Sequence, residues 1–392
     1  MAEQPRRRFL TPMVGRSADE PFRVSTPLEL FFDLCFVVAV AQAAAPLHHS
    51  ISEHQVHHGL RGYLMVFFAI WWAWMNFTWF ASAYDTDDDV YRITTFVQIA
   101  GALVIAAGVS SAFEQSNFLV ITIGYVIMRL ALVAQWLRAA ASDPQHRPTA
   151  LRYAVGVGVL QLLWLLLLAR PDSWPIVPLF VLLALLELAV PIWAERAPGG
   201  PTVYHPHHIA ERYGLFTIIV LGESVSAGAL AIRGALDEGE HTAELIRLAV
   251  AGLIVVFALW WLYFDRSAHN LLTSLRTSLL WGYGHYFIFT AAAAVGAGLG
   301  VSIDYVTHHT EISSVMTGYA IAIPVAVYLF FVWLLHIRPH QSGPMLLACP
   351  VAAVLALLTP LAPATLELLA ALLIVLTALN VSLGRRVPDR IG

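Results

Sequence analysis

Residues 246–264 read IRLAVAGLIVVFALWWLYF, an almost uninterrupted apolar run. A bilayer core about 30 Å thick is crossed by roughly 20 apolar residues in helical form. Because lipid offers the backbone no hydrogen-bonding partners, we expect such a run to be a helix. Eleven more stretches meet the same criterion, so the sequence predicts an all-α polytopic membrane protein with about twelve spans. The twelve predicted spans are 27–46, 60–82, 93–111, 117–138, 151–169, 174–194, 209–231, 246–264, 279–302, 314–337, 343–361 and 364–383.

The composition agrees with a membrane protein and excludes an ordinary cytosolic enzyme, a secreted disulfide scaffold and a nucleic-acid binder. Of the 392 residues, 58% are apolar and only 12% are charged, whereas a soluble protein carries about 25% charged residues. The two cysteines, Cys35 and Cys349, both lie in apolar runs and predict neither a disulfide framework nor a thiolate metal site. We therefore expect the lipid bilayer as a partner, no nucleic-acid partner, and neither a metal nor a cofactor. The composition leaves the oligomeric state open.

Arginine placement predicts which side of the membrane each loop faces. The chain contains no lysine, and loops rich in positive charge stay in the cytoplasm. With both termini cytoplasmic, seventeen arginines fall on the cytoplasmic side and four on the other, while Arg129 lies within a span. The run Arg6-Arg7-Arg8 lacks the apolar stretch of a cleaved export signal. The opposite side holds Arg61, Arg170, Arg233 and Arg247.

The two halves of the chain contain similar short stretches in the same order. Three pairs match: FAIWW at 68–72 with FALWW at 257–261, LELF at 28–31 with AERY at 210–213, and GY at 124–125 with GY at 318–319. Six spans in each half would insert both halves in the same direction, which predicts two parallel repeats. The expected divisions are an N-terminal segment at 1–26, six-helix repeats at 27–196 and 197–384, and a tail at 385–392.

Several ionisable residues lie in or beside the predicted spans, where charge is costly. A charge near the bilayer centre costs about 2.5–3.5 kcal/mol on insertion scales. Glu29 and Asp33 are four residues apart and share one helix face. They are interpreted either as interfacial carboxylates near a helix N-terminus or as a pair that handles protons or cations. Glu223 lies deeper in an apolar run, and Arg129 is a candidate partner for a buried carboxylate.

Further candidates come from the second half and from one acidic turn. Glu211, Glu223 and Asp265 are expected to line the surface of the second half that matches Glu29 and Asp33. Asp87 and Asp88 belong to the acidic turn 85–89, which is interpreted either as a solvated loop or as a vestibule that attracts cations. His285 lies near the start of an apolar span, where an imidazole can act as an acid or a base.

Two groups of histidines resemble metal-binding clusters. His49, His54, His57 and His58 form the first group, and His205, His207 and His208 the second. Arginine counting places the two groups on opposite sides of the membrane, which disfavours one shared metal centre. We interpret them as exposed loops that could respond to pH.

Four sequence blocks resemble the bacterial low temperature requirement A family. They are TPLELFFDL at 26–34, NFTWF at 76–80 with DTDD at 85–88, ERYGLFTIIVLGES at 211–224, and WWLYFD at 260–265 with YGH at 283–285. Together they span almost the whole chain. The resemblance implies a multi-pass protein of the bacterial inner membrane, linked by its name to growth in the cold.

These observations favour a transporter or channel-like protein for a small solute or monovalent cation. Parallel repeats with ionisable residues at their interface are one way in which transporters build a site. The alternatives are a membrane-embedded enzyme that acts on a lipid or hydrophobic substrate, with Glu223 or His285 as acid or base, and a non-catalytic factor for membrane stress adaptation.

Overall fold

The computed structural model describes residues 9–17, 20, 23–114, 116–171, 173–238, 241–339 and 345–384. Within these ranges the secondary structure is helical, without β-strands, which confirms the predicted all-α class. The helices are α1 Pro27–Ser52, α2 Val56–Tyr84, α3 Asp89–Glu114, α4 Leu119–Ser142, α5 Arg147–Leu168, α6 Ile176–Ala194, α7 Pro206–Glu238, α8 Thr242–Phe264, α9 Leu275–Val306, α10 Ser314–Val332, α11 Met345–Leu358 and α12 Thr365–Gly384.

Eleven of these helices are long and apolar enough to cross a membrane. The exception among the described helices is α11, which has 14 residues and contains Pro350. At 1.5 Å per residue it rises only about 21 Å, and a short 3-10 turn at Thr359–Leu361 follows it. The run Arg6–Arg8 and the predicted tail 385–392 lie outside the described residues.

The chain folds into two compact units. Unit 1 comprises residues 1–39 and 68–212, and unit 2 comprises residues 40–67 and 213–392. The chain therefore passes between the units within α1, α2 and α7. The predicted repeats at 27–196 and 197–384 stay predictions, because compactness does not measure symmetry. The matched tryptophans have different surroundings, since Trp71 and Trp72 are buried whereas Trp260 and Trp261 are more than two fifths exposed.

A capping box fixes the start of α1. The backbone N–H of Glu29 donates to Thr26 Oγ1 at 3.3 Å, and the N–H of Thr26 donates to Glu29 Oε2 at 2.8 Å. This reciprocal pair satisfies two helix-end donors, and Pro27 at the first helical position has no N–H to satisfy. The box also holds the Glu29 carboxylate at the end of the helix in a defined orientation.

In unit 1, α3 and α4 pack with their backbones in close contact. A Cβ atom added at Gly101 would lie 2.8 Å from the Gly124 carbonyl oxygen, and one added at Gly124 would lie 2.6 Å from the Gly101 oxygen. Small residues at a crossing let membrane helices approach in this way. Gly124, the first residue of the matched pair Gly124-Tyr125, therefore has a packing role in the first half.

In unit 2, α10 ends in a π-helical turn at Trp333–Ile337. The backbone N–H of Arg338 donates to Trp333 O at 2.7 Å, which is a bond across five residues. Unit 2 also contains an apolar cavity of about 600 Å³, lined by residues of α1, α2, α9 and α10. Among its lining residues are Leu47, Ile51, Leu60, Tyr63, Thr290 and Pro324.

Candidate functional site

Four ionisable residues at the starts of α1 and α7 form the centre of the candidate site. Glu29 and Asp33 are one helical turn apart in α1, and His208 and Arg212 have the same spacing in α7. Residues four apart on a helix lie on one face, so each helix presents a pair. Together with Arg23, which precedes α1, these residues are called the ion cluster below, and none of the five is more than 4% exposed.

Asp33 is paired with Arg212 in a two-pronged contact. Arg212 Nη2 donates to Asp33 Oδ1 at 2.6 Å, and Arg212 Nε donates to Asp33 Oδ2 at 2.8 Å. Trp74 Nε1 also donates to Asp33 Oδ1, at 2.6 Å. A bidentate arginine–carboxylate pair is among the strongest side-chain contacts. The negative charge of Asp33 is therefore matched by a cation of the protein itself.

Glu29 is approached by three basic groups at one oxygen atom. Its Oε1 lies 3.1 Å from His208 Nε2, 3.2 Å from Arg23 Nη2 and 3.3 Å from Arg212 Nη1. Arg212 Nη1 and both ring nitrogens of His208 make no well-aligned hydrogen bond within the described residues. Buried donors are normally paired, so the cluster holds more donor groups than its carboxylate oxygens satisfy.

Asp85 connects the ion cluster to the turn between α2 and α3. Its Oδ2 accepts from Arg23 Nη2 at 3.3 Å, and Arg23 also donates to the carbonyl oxygens of Ala81 and Ser82. Burial and the nearby charge of Glu29 raise the pKa of Asp85 to about 6, against the opposing effect of Arg23. Asp85 can therefore change its charge within an accessible pH range.

Two further carboxylates of the acidic turn, Asp87 and Asp88, are also paired with arginines. Asp87 accepts from Arg92 Nε and Nη2 at 2.7 and 2.9 Å. Asp88 pairs with Arg138 and accepts from the backbone N–H of Tyr91 at 2.8 Å. Burial alone would raise the pKa of Asp88, but the hydrogen bonds from Arg138 and Tyr91 outweigh it and lower that pKa. The interpretation of this turn as a cation vestibule stays untested, and its charges are largely balanced locally.

A second buried ion pair in unit 1 joins α4 and α6. Arg129 Nη2 donates to Glu187 Oε2 at 3.0 Å, and the same oxygen accepts from Trp72 Nε1 at 2.8 Å. Glu187 Oε1 accepts from Trp164 Nε1 at 3.1 Å. The partner of Arg129 is therefore Glu187, and this pair has hydrogen bonds to both carboxylate oxygens.

The remaining predicted residues are not gathered at one centre. Glu211 accepts from the backbone N–H of Ser25 at 3.2 Å. Glu223 is partly buried, and no hydrogen bond or ion pair joins it to another described residue. Asp265 follows the last residue of α8 and pairs with its neighbour Arg266 at 3.2 Å. His285 is fully buried in unit 2 and lies beside His336 and Tyr263. Their roles as site residues stay predictions.

The expectation that both histidine groups lie in exposed loops is wrong in part, because His49 lies in α1, His57 and His58 lie in α2, and His208 lies in α7. His49 and His54 are exposed, but α7 begins at Pro206, so His208 lies in its first turn and is completely buried against Glu29. His205 also contacts protein, because its Nε2 lies 2.8 Å from Glu20 O. Within the described ranges, no group of three or more His, Cys, Asp or Glu side chains is arranged to hold a metal ion.

Sequence reasoning missed the basic members of the ion cluster. Arginine counting includes both Arg23 and Arg212 among the seventeen cytoplasmic arginines and assigns neither of them a partner. The signal that could have found the contact is spacing, since Glu29 and Asp33 have a counterpart in the basic pair His208 and Arg212, also four residues apart.

The fold and the ion cluster define a polytopic α-helical membrane protein that holds paired charges in its interior. The family model described as "Bacterial low temperature requirement A protein (LtrA)" matches residues 24–383, so the chain belongs to this family. The chain is also similar to an uncharacterized protein of Rhizobium meliloti (strain 1021), with 26% identity over 291 residues. That match covers 67% of each chain.

Proposed function

We propose that this protein transports a small solute or monovalent cation across the bacterial inner membrane, and that the ion cluster responds to the transported ion or to protons. The observation that carries the proposal is the complete burial of Glu29, Asp33, His208 and Arg212 at the ends of apolar helices. Ionisable residues in membrane segments are rare and commonly mark ion pathways or proton relays.

The contacts around Glu29 favour a responsive site over a purely structural one. Three basic groups share Oε1 of Glu29, whereas Glu187 pairs with the single cation Arg129 within the described residues and accepts its other hydrogen bonds from tryptophans. Moving a proton or a cation into the cluster would change which group pairs with Glu29. Such a change of pairing is a way to couple an ion to a movement of α1 or α7, because a ligand shifts an equilibrium only through different contacts in the two states.

The proposed orientation places both termini in the cytoplasm. The excess of arginine on that side supports it. In this orientation the ion cluster lies toward the cytoplasmic ends of α1 and α7, and Asp85 lies in a cytoplasmic loop. Protons or cations of the cytoplasm would reach the cluster through this side.

The test is ion flux in proteoliposomes. Native protein, Asp33→Asn and Glu29→Gln are compared with proton- and potassium-sensitive dyes, with and without a membrane potential. We expect flux in the native protein and a fall to the level of empty liposomes in both variants. Glu244→Gln changes an exposed carboxylate of α8 and is expected to leave flux unchanged.

A second control separates the site from general destabilisation. Glu187→Gln removes a carboxylate that is as buried as Asp33 and is also paired with an arginine. If it abolishes flux as fully as Asp33→Asn in protein that still elutes as one folded species, the ion cluster has no special role. Absence of flux for every cation tested would contradict cation transport.

The apolar cavity in unit 2 favours one alternative, an enzyme that acts on a lipid or hydrophobic substrate. Its volume of about 600 Å³ lies within the range of small-molecule pockets, about 300–1,000 Å³, and Tyr63 and Thr290 contribute to its wall. Formation of a lipid product in detergent, without any gradient, would support this alternative.

A role in growth in the cold, which the family name suggests, is tested by complementation at low temperature with native protein and Asp33→Asn.

A further inference from the structure

Three side chains that can bind metal meet in unit 2, apart from the ion cluster. Tyr263 lies near the end of α8, His285 in the third turn of α9, and His336 in the π-helical turn after α10. His285 Nε2 is 3.0 Å from the Tyr263 hydroxyl and 3.1 Å from His336 Nε2. All three side chains are buried. Three different helical segments therefore bring one oxygen and two nitrogens together.

The hydrogen bonds of His285 set the orientation of its free lone pair. Its Nδ1 lies 2.7 Å from the carbonyl oxygen of Trp281, and a carbonyl can only accept, so Nδ1 carries the hydrogen. Nε2 of this neutral imidazole is then an acceptor with a single lone pair. That lone pair faces two groups at once, the Tyr263 hydroxyl and His336 Nε2. One cation at this point would satisfy all three atoms.

We propose that Tyr263, His285 and His336 bind a late first-row divalent metal ion, zinc or copper. A metal 2.0–2.1 Å from His285 Nε2 and from each of its two neighbours would subtend angles of about 95–100° between Nε2 and each neighbour, which lie between square-planar and tetrahedral values. Imidazole nitrogens suit zinc and copper. The third ligand is a tyrosine oxygen, so the site does not depend on a third His, Cys, Asp or Glu.

The surroundings match those of known metal sites in two respects. Histidine ligands usually donate their second N–H to a carbonyl or carboxylate, as His285 does to Trp281. The segment of His336 is a π-helical turn, which is rare and often occurs at functional sites. The rings of Trp281 and Tyr213 lie 4.0 and 4.8 Å from the His285 ring, between centroids.

Binding requires the release of one proton. The Tyr263 hydroxyl gives up its proton to solvent, and the phenolate oxygen and the two Nε2 lone pairs form bonds to the ion. One negative charge then offsets part of the charge of the metal. No oxidation state changes in this step. The proposal does not depend on transport by the ion cluster.

The experiment measures metal bound to the full-length protein purified in detergent without a histidine tag. After loading with Zn²⁺ and dialysis, we expect about one equivalent of zinc per chain by elemental analysis. His285→Gln and His336→Gln are expected to retain less than about a tenth of it. His49→Gln and His54→Gln alter exposed histidines and serve as matched controls that keep the full equivalent.

Tyr263→Phe gives a second readout, which does not depend on whether the two histidine variants fold. It removes one hydroxyl and keeps the ring, and with Cu²⁺ it is expected to lose the phenolate-to-copper charge-transfer absorption of the native protein. The proposal is overturned if the native protein holds no more zinc than the histidine variants. It is also overturned if the Tyr263→Phe spectrum equals the native one.

Discussion

The contact between Asp33 and Arg212 allows the energetics of the ion cluster to be measured directly. Asp33→Asn removes the negative charge at nearly constant size and keeps an oxygen that can accept from Trp74. Arg212→Met removes the positive charge and keeps the length of the apolar stem. Each change removes the two-pronged ion pair and leaves the other partner without it, in a site where neither partner is more than 2% exposed.

The expected magnitudes follow from this burial. Breaking one partner of a buried ion pair costs about 3–5 kcal/mol, so independent effects would sum to about 6–10 kcal/mol. In the double variant neither residue of the pair carries a charge, and mainly the amide N–H₂ of the new asparagine lacks a hydrogen-bonding partner. An unsatisfied buried donor costs about 1–3 kcal/mol. The coupling free energy is therefore expected to be at least about 3 kcal/mol.

The assay is reversible unfolding of the four proteins in micelles, followed by tryptophan fluorescence or circular dichroism. The exposed pair His49–Glu53, which is 73% and 50% exposed, provides a control cycle. Its coupling should stay within about 1 kcal/mol, because surface ion pairs contribute little. Additivity of the Asp33 and Arg212 variants within about 0.5 kcal/mol would refute the argument that this pair is a desolvated ionic contact.

Three further predictions concern other parts of unit 1. The pKa of Asp85 is raised from 3.8 to about 6, so its favourable contribution to the unfolding free energy is complete below about pH 4 and is lost by about pH 6. Relative to Asp85→Asn, the native protein should therefore lose about 3 kcal/mol of unfolding free energy over this range. Parallel pH profiles of the two proteins would contradict the raised pKa. In thermal unfolding, Arg129→Gln and Glu187→Gln should each lower the unfolding free energy by about 3 kcal/mol or more. The double variant should lower it by no more than either single variant does. Gly124→Val should cost about 1–3 kcal/mol, because its Cβ meets a backbone oxygen of α3, whereas Gly158→Ala, with open space at its Cβ, should leave the melting temperature within a degree or two of native.

The membrane spans could be predicted from the sequence because their signal is local. The length and apolarity of a run such as 246–264 can be read from the sequence alone. Such runs correspond to the eleven helices that are long enough to span a membrane. The helix formed within the predicted span 343–361 is shorter than predicted, since it contains Pro350 and Pro360 follows it in a 3-10 turn. The internal repeat rests on short matches and stays a prediction.

The acidic half of the ion cluster could also be predicted, but its partners could not. The spacing of Glu29 and Asp33 places both on one face of α1, and the sequence Thr26-Pro27-Leu28-Glu29 has the form of a capping box. Arg212 is 179 residues from Asp33, and helical periodicity does not specify which helices pack together. Counting arginines by side of the membrane did not reveal the contact, because it considers only which side Arg212 faces and not which residue it pairs with.

The balance of charge links the structure of the cluster to its proposed role. Two arginines of the ion cluster, Arg23 and Arg212, face its carboxylates Glu29 and Asp33 and also Asp85, which lies beside the cluster. With all three carboxylates ionised and His208 neutral, the group has one excess negative charge, and a single proton or monovalent cation restores neutrality. Because uncompensated charge in such a buried place is costly, occupancy by that one cation changes the stability of the whole arrangement. A static ion pair such as Arg129–Glu187 is neutral without any added ion and offers no such dependence. The two sites therefore predict different responses to pH and cation concentration within one chain, and that difference is what an ion-coupled transporter requires.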